Sequence, residues 1–530
     1  MLKIESLRNL SLPKRQEFLK DFPHLVDPFE DRDRIYNQCQ IELGWPKGAM
    51  RRFEHLAREN TVAIIGGQLG DEAKGRTVDN KIGAMLNIPG IEIVYVIRFQ
   101  GGNNAGHMVE RDGKRLDLHV VPSGVMYKET VGIMDQGMVI HVEDLQTEVK
   151  YIEDYVGDIR GKLFLSQDAI LATDIERAEE VANRLKEEDS KGGTGRGIGP
   201  AYAHHRDKTG KQVKHLLDNN WREQFAKYYE IRQKDLVGHK IDLATMEVPN
   251  FRKSRETGKE EKRMVGTKEE FLDRLEAARS WLIERNMTTN IFLMHQEAYW
   301  DVSKGFIFEG AQAAGLDAFT GTRPDTTSSN TTAYGARDGT LYWTPEKIKI
   351  CVGVIKGPYM SSVGNDRKIP TLISPENKKE YEEYALPIRN EANEFGTTTG
   401  RPRDIAHIDL PLMAYNAAMA GIEEISVTHL DIARKNRPIK VCCAYKDKTT
   451  GKYVPYQPGL HYQQNVEPQY ITLPGWDGKE CMRARSLRDL PPNAVKFMAF
   501  LQARLGYPIT SGTNGPDRHN YFEINQPIIA

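Results

Sequence analysis

The chain has 530 residues, 39% hydrophobic and 28% charged, a globular mix that excludes a disordered polymer or a fibre. Lys plus Arg number 73 and Asp plus Glu 74, a formal net charge of −1. That balance argues against a general nucleic-acid binder, while leaving room for a local basic pocket that takes a small phosphorylated ligand.

Residues 1–60 are charged and punctuated by aromatics and Pro (FPHLVDPFEDRDR, GWPKG), which predicts an N-terminal extension. An apolar run at 61–65 (TVAII) predicts a strand, followed by glycines and a helix through KGRTVDNKIGAML. A second strand is predicted at 91–99 (IEIVYVIRF), again leading into a Gly-rich turn. Strand, Gly turn, helix, strand, Gly turn is the pattern of an α/β protein with a mostly parallel sheet. Residues 173–189 have helical spacing, and the charged stretch 236–268 reads as a surface insertion or mobile loop. An amphipathic helix is predicted at 269–286, with strands at 305–308, 348–355 and 424–428. Two further helices end at Gly421 and Gly506, both suited to a left-handed C-terminal cap. No linker interrupts residues 61–530, so one large domain with helical and loop insertions around the sheet is expected.

No apolar run reaches the ~20 residues of a bilayer span. The first residues lack an apolar signal core. The five cysteines form no CxxC pair, which argues against a disulfide framework or a cysteine zinc site. A cytoplasmic protein is the expectation.

The chemistry concentrates in two loops. The segment 66–76, GGQLGDEAKGR, joins a strand to a helix, so its N–H groups and Lys74 suit a phosphate. It matches neither GxxxxGK[ST] nor GxGxxG. Asp71 and Glu72 are unusual there, since a carboxylate beside phosphate is repulsive unless it holds Mg²⁺ or takes a proton. A plain strand-to-helix turn would also carry acidic residues at this place. The second loop, QGGNNAGH at 100–107, follows the second strand and offers His107 as a group that can hold a proton near neutral pH. In a parallel sheet both loops would open at the carboxyl edge, where ligands bind.

GDEAKGR, NNAGH with LHVVPSG, and TGRGIGPAY together resemble the adenylosuccinate synthetase family. FEGAQ, TTSSNTTA, FGTTTGRPR, THLD, LPGW and GPDR continue the resemblance in order from residue 61 to the C-terminus. It implies phosphate loops like those of P-loop NTPases. It also implies a Mg²⁺-dependent ligase that joins IMP to L-aspartate with hydrolysis of GTP, through a 6-phosphoryl-IMP intermediate. The family's catalytic pair maps to Asp71, as base and metal ligand, and His107, as acid, with the Gly106 carbonyl as a second metal ligand. GTP would meet Gly70, Asp71, Glu72, Ala73, Lys74, Gly75, Arg76, Gly106, His107, Met108, Arg403, His429, Leu430, Asp431, Thr513, Asn514 and Gly515. IMP would meet Asp71, Lys74, Asn104, Ala105, Gly106, His107, Thr194, Lys211, Gln312, Thr327 and Arg401. Aspartate would meet Arg196, Thr397, Thr398, Thr399, Gly400, Arg401 and Arg403. A homodimer is implied, with a basic residue crossing the interface to the IMP phosphate, and here both Lys211 and Arg206 are candidates.

The sequence departs from the family at several of these places. Ala73 stands where Gly is usual, which calls for a negative φ there. His429 replaces a Lys beside the guanine-reading Asp431. Arg323 and Asp325 replace aromatics, and Asp404 replaces an Arg. Two alternatives follow: the same mechanism on a modified purine or with another nucleoside triphosphate, and a non-catalytic nucleotide-binding regulator.

Overall fold

The computed structural model describes residues 60–111, 114–186, 193–237, 241–253, 260–344, 347–362, 369–396, 400, 402–524 and 528. The N-terminal extension, save its last residue, lies outside the described residues, as do Thr397, Thr398, Thr399 and Arg401.

Ten strands form the central sheet. In chain order they are β1 (Thr61–Gly66), β2 (Ile93–Arg98), β3 (Thr130–Met134), β4 (Leu163–Ser166), β5 (Thr288–Thr289), β6 (Lys304–Glu309), β7 (Ile350–Lys356), β8 (Glu424–Thr428), β9 (Ile509–Thr513) and β10 (Tyr521–Glu523). Across the sheet they run β5-β4-β3-β2-β6-β1-β7-β8-β9-β10. Every pairing is parallel except that of β9 with β10 at one edge.

The central strands β1, β2, β6 and β7 are largely apolar because both faces are covered. In β1, Val62 and Ile64 join one core with Val78 and Ile82 of the helix Lys74–Leu86. Ala63 and Ile65 point the other way, into a second core with Phe306, Phe308 and Trp343. The two-residue period of a strand separates the two sets. Trp343 fills that second core, its ring 4.7 Å from Phe306 and 4.9 Å from Phe308. A third core lies under the helices Val142–Val156, Trp221–Val237 and Lys268–Arg285.

The five strands expected from sequence are all present, and β8 matches to the residue. Gly421 and Gly506 take left-handed conformations at φ 71° and 80°, capping their helices as expected. Three features go beyond the local sequence signal. Strand β6 lies between β1 and β2. Strands β3, β4, β5, β9 and β10 had no distinct sequence signal, being short or half-polar. The charged stretch 236–268 is not simply a surface loop. It contains an antiparallel hairpin, Glu247–Lys253 with Glu260–Met264. Leu243, Val248 and Val265 are fully buried in the third core and anchor it. Among the described residues, no helix is long and apolar enough to cross a membrane.

Candidate active site

A cleft of about 880 Å³ opens along the carboxyl edge of the sheet. It is lined by Gly70, Asp71, Ala73, Lys74, Gly75 and Arg76 from the first loop, and by residues 104–108 from the second. Thr194, Gln312, Thr327, Arg403, His429, Asp431, Thr513 and Gly515 complete most of its wall. Residues from opposite ends of the chain therefore meet, as a switch point in a parallel sheet allows. Glu72, Arg196, Lys211, Gly400, Leu430 and Asn514 do not line the cleft.

The first loop is built around a buried carboxylate. Glu72 is fully buried; its Oε1 accepts the Gly70 N–H at 2.7 Å and its Oε2 accepts Lys74 Nζ at 2.7 Å. Thr428, at the end of β8, donates to the Glu72 carbonyl at 3.0 Å. Glu72 thus shapes the loop from below, while Asp71 faces the cleft with a third of its side chain exposed. Gly66 must be Gly: a Cβ would lie 2.5 Å from Glu72 Oε2 and 2.6 Å from the Gln312 carbonyl. Ala73 contradicts the expectation of a negative φ. It sits at φ 65°, ψ 40°, as the N-cap of the following helix. That conformation brings an L residue's Cβ close to its carbonyl, a strain of roughly 1–2 kcal/mol.

The strain is not isolated. Seven non-glycine residues among those described have positive φ, and five of them, Asp71, Ala73, Gln312, Asn393 and His429, line the cleft. Such conformations persist where the surrounding structure over-determines them, which is typical of functional sites.

His107 begins the strand His107–Arg111, which pairs with Lys114–Leu118. Its Nδ1 contacts Glu309 Oε1. Arg98 and Glu309 are the last residues of β2 and β6 and sit opposite one another in register. Glu309 also accepts the Ser123 N–H at 2.8 Å. Burial by itself pushes the Glu309 carboxyl up, but His107, Arg98 and Ser123 outweigh it and hold the group at about 2. Glu309 is thus an anion, and it fixes the imidazole with its Nδ1 occupied. Burial, with Arg98 adding to it, lowers the His107 pKa, while Glu309 pulls it back up. Neither Glu309 nor Arg98 was assigned from sequence; the one signal was Glu309's place within FEGAQ at a strand end.

A second buried group meets the first loop from the opposite side. Arg403 Nη1 pairs with Asp71 Oδ2 and lies 2.9 Å from Glu394 Oε2. Glu394 also contacts Lys356 Nζ, accepts the Tyr359 hydroxyl at 2.6 Å, and accepts Ser361 Oγ at 3.1 Å. Burial pushes the Glu394 carboxyl up, but Lys356 and Arg403 hold it well below the usual carboxylate range. Sequence reasoning passed over Glu394, two residues before the Gly of the FGTTTGRPR motif.

His429 is left-handed at φ 60°, with Nδ1 2.8 Å from Thr428 Oγ1 and its ring edge-on to Tyr359 at 5.9 Å. Burial, then the nearby Lys356 ammonium, depresses it to about 3. Burial raises the carboxyl of the neighbouring Asp431. The turn carrying Asp431 is pinned from outside: the Trp476 indole donates to the Leu430 carbonyl at 2.7 Å. A Cβ on Gly478 would lie 1.8 Å from the Asp431 carbonyl. This explains the Trp of LPGW. Asn514 likewise works behind the wall, donating to the Cys481 and Ala484 carbonyls. Arg76 Nη1 donates to the Gly515 carbonyl, tying the first loop to GPDR.

On the remaining wall, both amide atoms of Gln312 are buried without a protein partner. A buried amide left open on a cleft is a ready ligand contact. The Tyr202 hydroxyl donates to the Gly137 carbonyl at 2.7 Å and accepts the Gly101 N–H at 2.9 Å, so the Tyr of TGRGIGPAY braces the second loop. Arg196 is buried, with Nη1 on the Asn250 carbonyl of the hairpin. Lys211 lies away from the cleft, its Nζ 5.7 and 5.5 Å from the rings of Phe225 and Tyr228. Arg206 ends the helix Ile198–Arg206 on the surface.

Comparison with known proteins agrees with this layout. The adenylosuccinate synthetase family model matches residues 63–522. Adenylosuccinate synthetase of Halothermothrix orenii is 31% identical over 459 residues, covering 86% of this chain and 96% of the relative. That of Chlorobaculum parvum is 33% identical over 472 residues, covering 88% and 98%. The structure of fully ligated adenylosuccinate synthetase from Plasmodium falciparum superposes with a TM-score of 0.74 at 28% identity, covering 88% of this chain and 100% of that one. With its loops, its cleft and a match along nearly the whole described fold, the chain belongs to the adenylosuccinate synthetase family, ligases of purine biosynthesis.

Proposed function

We propose that the chain condenses IMP with L-aspartate, converting GTP to GDP and phosphate. The observation that carries this reading is the pairing, in one cleft, of the Asp71 carboxylate with the buried His107–Glu309 unit. Asp71 takes the proton from N1 of the hypoxanthine, and O6 attacks the γ-phosphorus of GTP. The bond to the β–γ bridging oxygen breaks and GDP leaves. His107, held by Glu309 on Nδ1, turns Nε2 to the reacting oxygens, and their negative charge favours its protonated form, with the proton taken from solvent, so that Nε2–H donates to them. The aspartate amine then attacks C6, phosphate departs, and the amine loses its proton.

Asp71 and the Gly106 carbonyl would hold Mg²⁺. Both offer hard oxygen donors, and Asp71 is the partly exposed carboxylate of the loop. The bound cation supplies charge that offsets the phosphate oxygens. Gln312, Thr194 and Thr327 provide neutral donors for IMP. Arg403, with Thr397, Thr398, Thr399, Gly400 and Arg401, receives the aspartate carboxylates. Arg403 already touches Asp71 and Glu394, so it can report aspartate binding to the base. In a homodimer, surface-exposed Arg206 is better placed than ring-packed Lys211 to cross to the partner's IMP phosphate.

Asp431 can accept from the guanine N1–H and 2-amino groups, which favours GTP. A neutral His429 in place of a Lys supports a second reading, in which another nucleoside triphosphate serves as well. Asp71 beside C2 of the purine favours IMP, since an exocyclic amino group would crowd it. Turnover with IMP, GMP, dGMP and XMP against GTP and ATP, with aspartate and Mg²⁺, tests both choices. N6-succinyl-AMP formed fastest from IMP and GTP is expected. Preferential consumption of dGMP would overturn the acceptor assignment, and equal rates with ATP the donor assignment.

A further inference from the structure

The charged hairpin Glu247–Lys253/Glu260–Met264 stands outside the cleft, yet it is wired to two of the loops that line it. Its first strand offers backbone carbonyls inward. Arg177, fully buried on the helix Asp174–Lys186, donates from Nη1 to the Pro249 carbonyl at 3.2 Å. The other end of the same guanidinium donates to Asp144 Oδ2. That oxygen also accepts the side-chain amide of Asn103, the residue immediately before Asn104 in the second loop. The next carbonyl of the hairpin, that of Asn250, accepts Arg196 Nη1, and Arg196 lies two residues after Thr194 on the cleft wall.

The second hairpin strand closes the joint. Arg263 pairs with Glu143 and lies 2.8 Å from Asp174 Oδ2. His141, Glu143 and Asp174 come together with metal-ligand spacing. Two guanidiniums, Arg263 and Arg274, already lie on those carboxylates, so the cluster is an ionic joint and not an open cation site. Burial pushes the Asp144 carboxyl up, but Arg177 and His141 hold it far below the carboxylate range, so it stays an anion that can grip Asn103.

We infer that this hairpin is a positioning element for the acceptor-nucleotide side of the cleft, acting through Arg177, Asp144 and Asn103 on the NNAGH loop and through Arg196 on the Thr194 loop. The inference rests on the proposed reading that these loops hold the purine acceptor. Two neighbouring carbonyls of one strand meet two guanidiniums, and each guanidinium serves a different loop. A shift of the strand would move both loops together. Among the described residues, no hydrogen bond or ion pair joins the hairpin to His429, Asp431 or Thr513 on the opposite wall.

The test is steady-state kinetics on full-length protein, using the acceptor, donor and amino acid that the wild type turns over. Arg177→Lys keeps the charge but cannot reach Asp144 and the Pro249 carbonyl together; Asn103→Ala cuts the relay at its other end. Each is expected to raise the acceptor KM about tenfold or more while the nucleoside triphosphate KM stays within about twofold, since a hydrogen bond to a charged group is at stake. The double variant should be no worse than the poorer single one, because both break one chain of contacts. A purely structural role would lower the amount of active enzyme and leave all three KM values alone. If Arg177→Lys does not fold, Arg263→Met, on the half-buried outer side of the joint, carries the same expectation at smaller size. Unchanged acceptor KM values, strictly additive effects, or equal losses for all substrates would overturn the inference. Failure of the wild type to use any purine acceptor would instead overturn the functional reading on which it rests.

Discussion

Two histidines face the same cleft, and the contrast between them shows how surroundings divide labour between identical side chains. His107 and His429 are both depressed by burial. His107 has a carboxylate on Nδ1, Glu309, itself anchored by Ser123 and faced by Arg98. His429 has the Thr428 hydroxyl on Nδ1, and burial with the Lys356 ammonium outweighs the nearby Glu394 and Asp71 carboxylates, which pull the other way. A ring backed by an anion can accept a proton when a phosphate arrives, as the carboxylate stabilises the imidazolium. A ring held by a hydroxyl, with an ammonium beside it, remains a neutral aromatic wall. The first arrangement suits proton transfer, the second suits packing against a base.

The largest expected effect tests the first half of this contrast. His107→Ala should lower turnover by ~10²–10⁴-fold with the fold retained by circular dichroism, the usual worth of an acid–base group. Turnover near the wild-type rate would place the proton elsewhere and collapse the distinction between the two rings. For His429→Ala the expectation is different in kind: a donor-nucleotide KM raised about tenfold, the worth of one base–aromatic stack, with kcat little changed. A kcat loss as deep as that of His107→Ala would show that both rings do chemistry.

Stability against acid sharpens the contrast further. His429 falls from an ordinary 6.5 to about 3 in the folded protein. Between those values the unfolded chain binds a proton that the folded one refuses, so stability drops as pH falls below 6.5. Glu309, lowered from 4.5 to about 2, adds its own loss below 4.5. One such proton is worth at most about 1.4 kcal/mol per pH unit. Urea melts of wild type and His429→Gln between pH 7 and 5 should converge as pH falls, because the variant lacks the first of these protons. Parallel curves would mean that His429 is readily protonated in the folded protein. The smallest effect concerns the loop between the two rings. Ala73→Gly should stabilise by about 1 kcal/mol or less, since relief of strain at φ 65° is offset by the extra freedom of unfolded Gly. A lowered Tm would show that the left-handed turn is not strained.

Much of this site was legible from local pattern. Strand followed by glycine and helix located the first loop, and motif order located the residues that line the cleft. Less legible were the groups that set the chemistry of those residues. His107 and Glu309 are 202 positions apart, and Thr428 and Glu72 are 356 apart. No local spacing links such pairs. The charge pattern of 236–268 suggested a solvated insertion because its polar residues dominate the average. Its anchoring depends on Leu243, Val248 and Val265, three apolar residues too scattered to form a run.

By itself the sequence determined that the chain is an α/β protein and where its two glycine-rich loops lie, because strand alternation, helix caps and glycine turns are short-range properties read within a few residues; the order of its motifs carried the family resemblance. Only the tertiary structure decided that β6 separates β1 from β2 and sets Glu309 beside Arg98 behind His107. It alone turned Glu72 inward while Asp71 faced the cleft, and forced Ala73 into a left-handed turn. Those outcomes depend on desolvation, charge pairing and close packing among segments hundreds of residues apart, and such forces exist only once the sheet has brought the segments together.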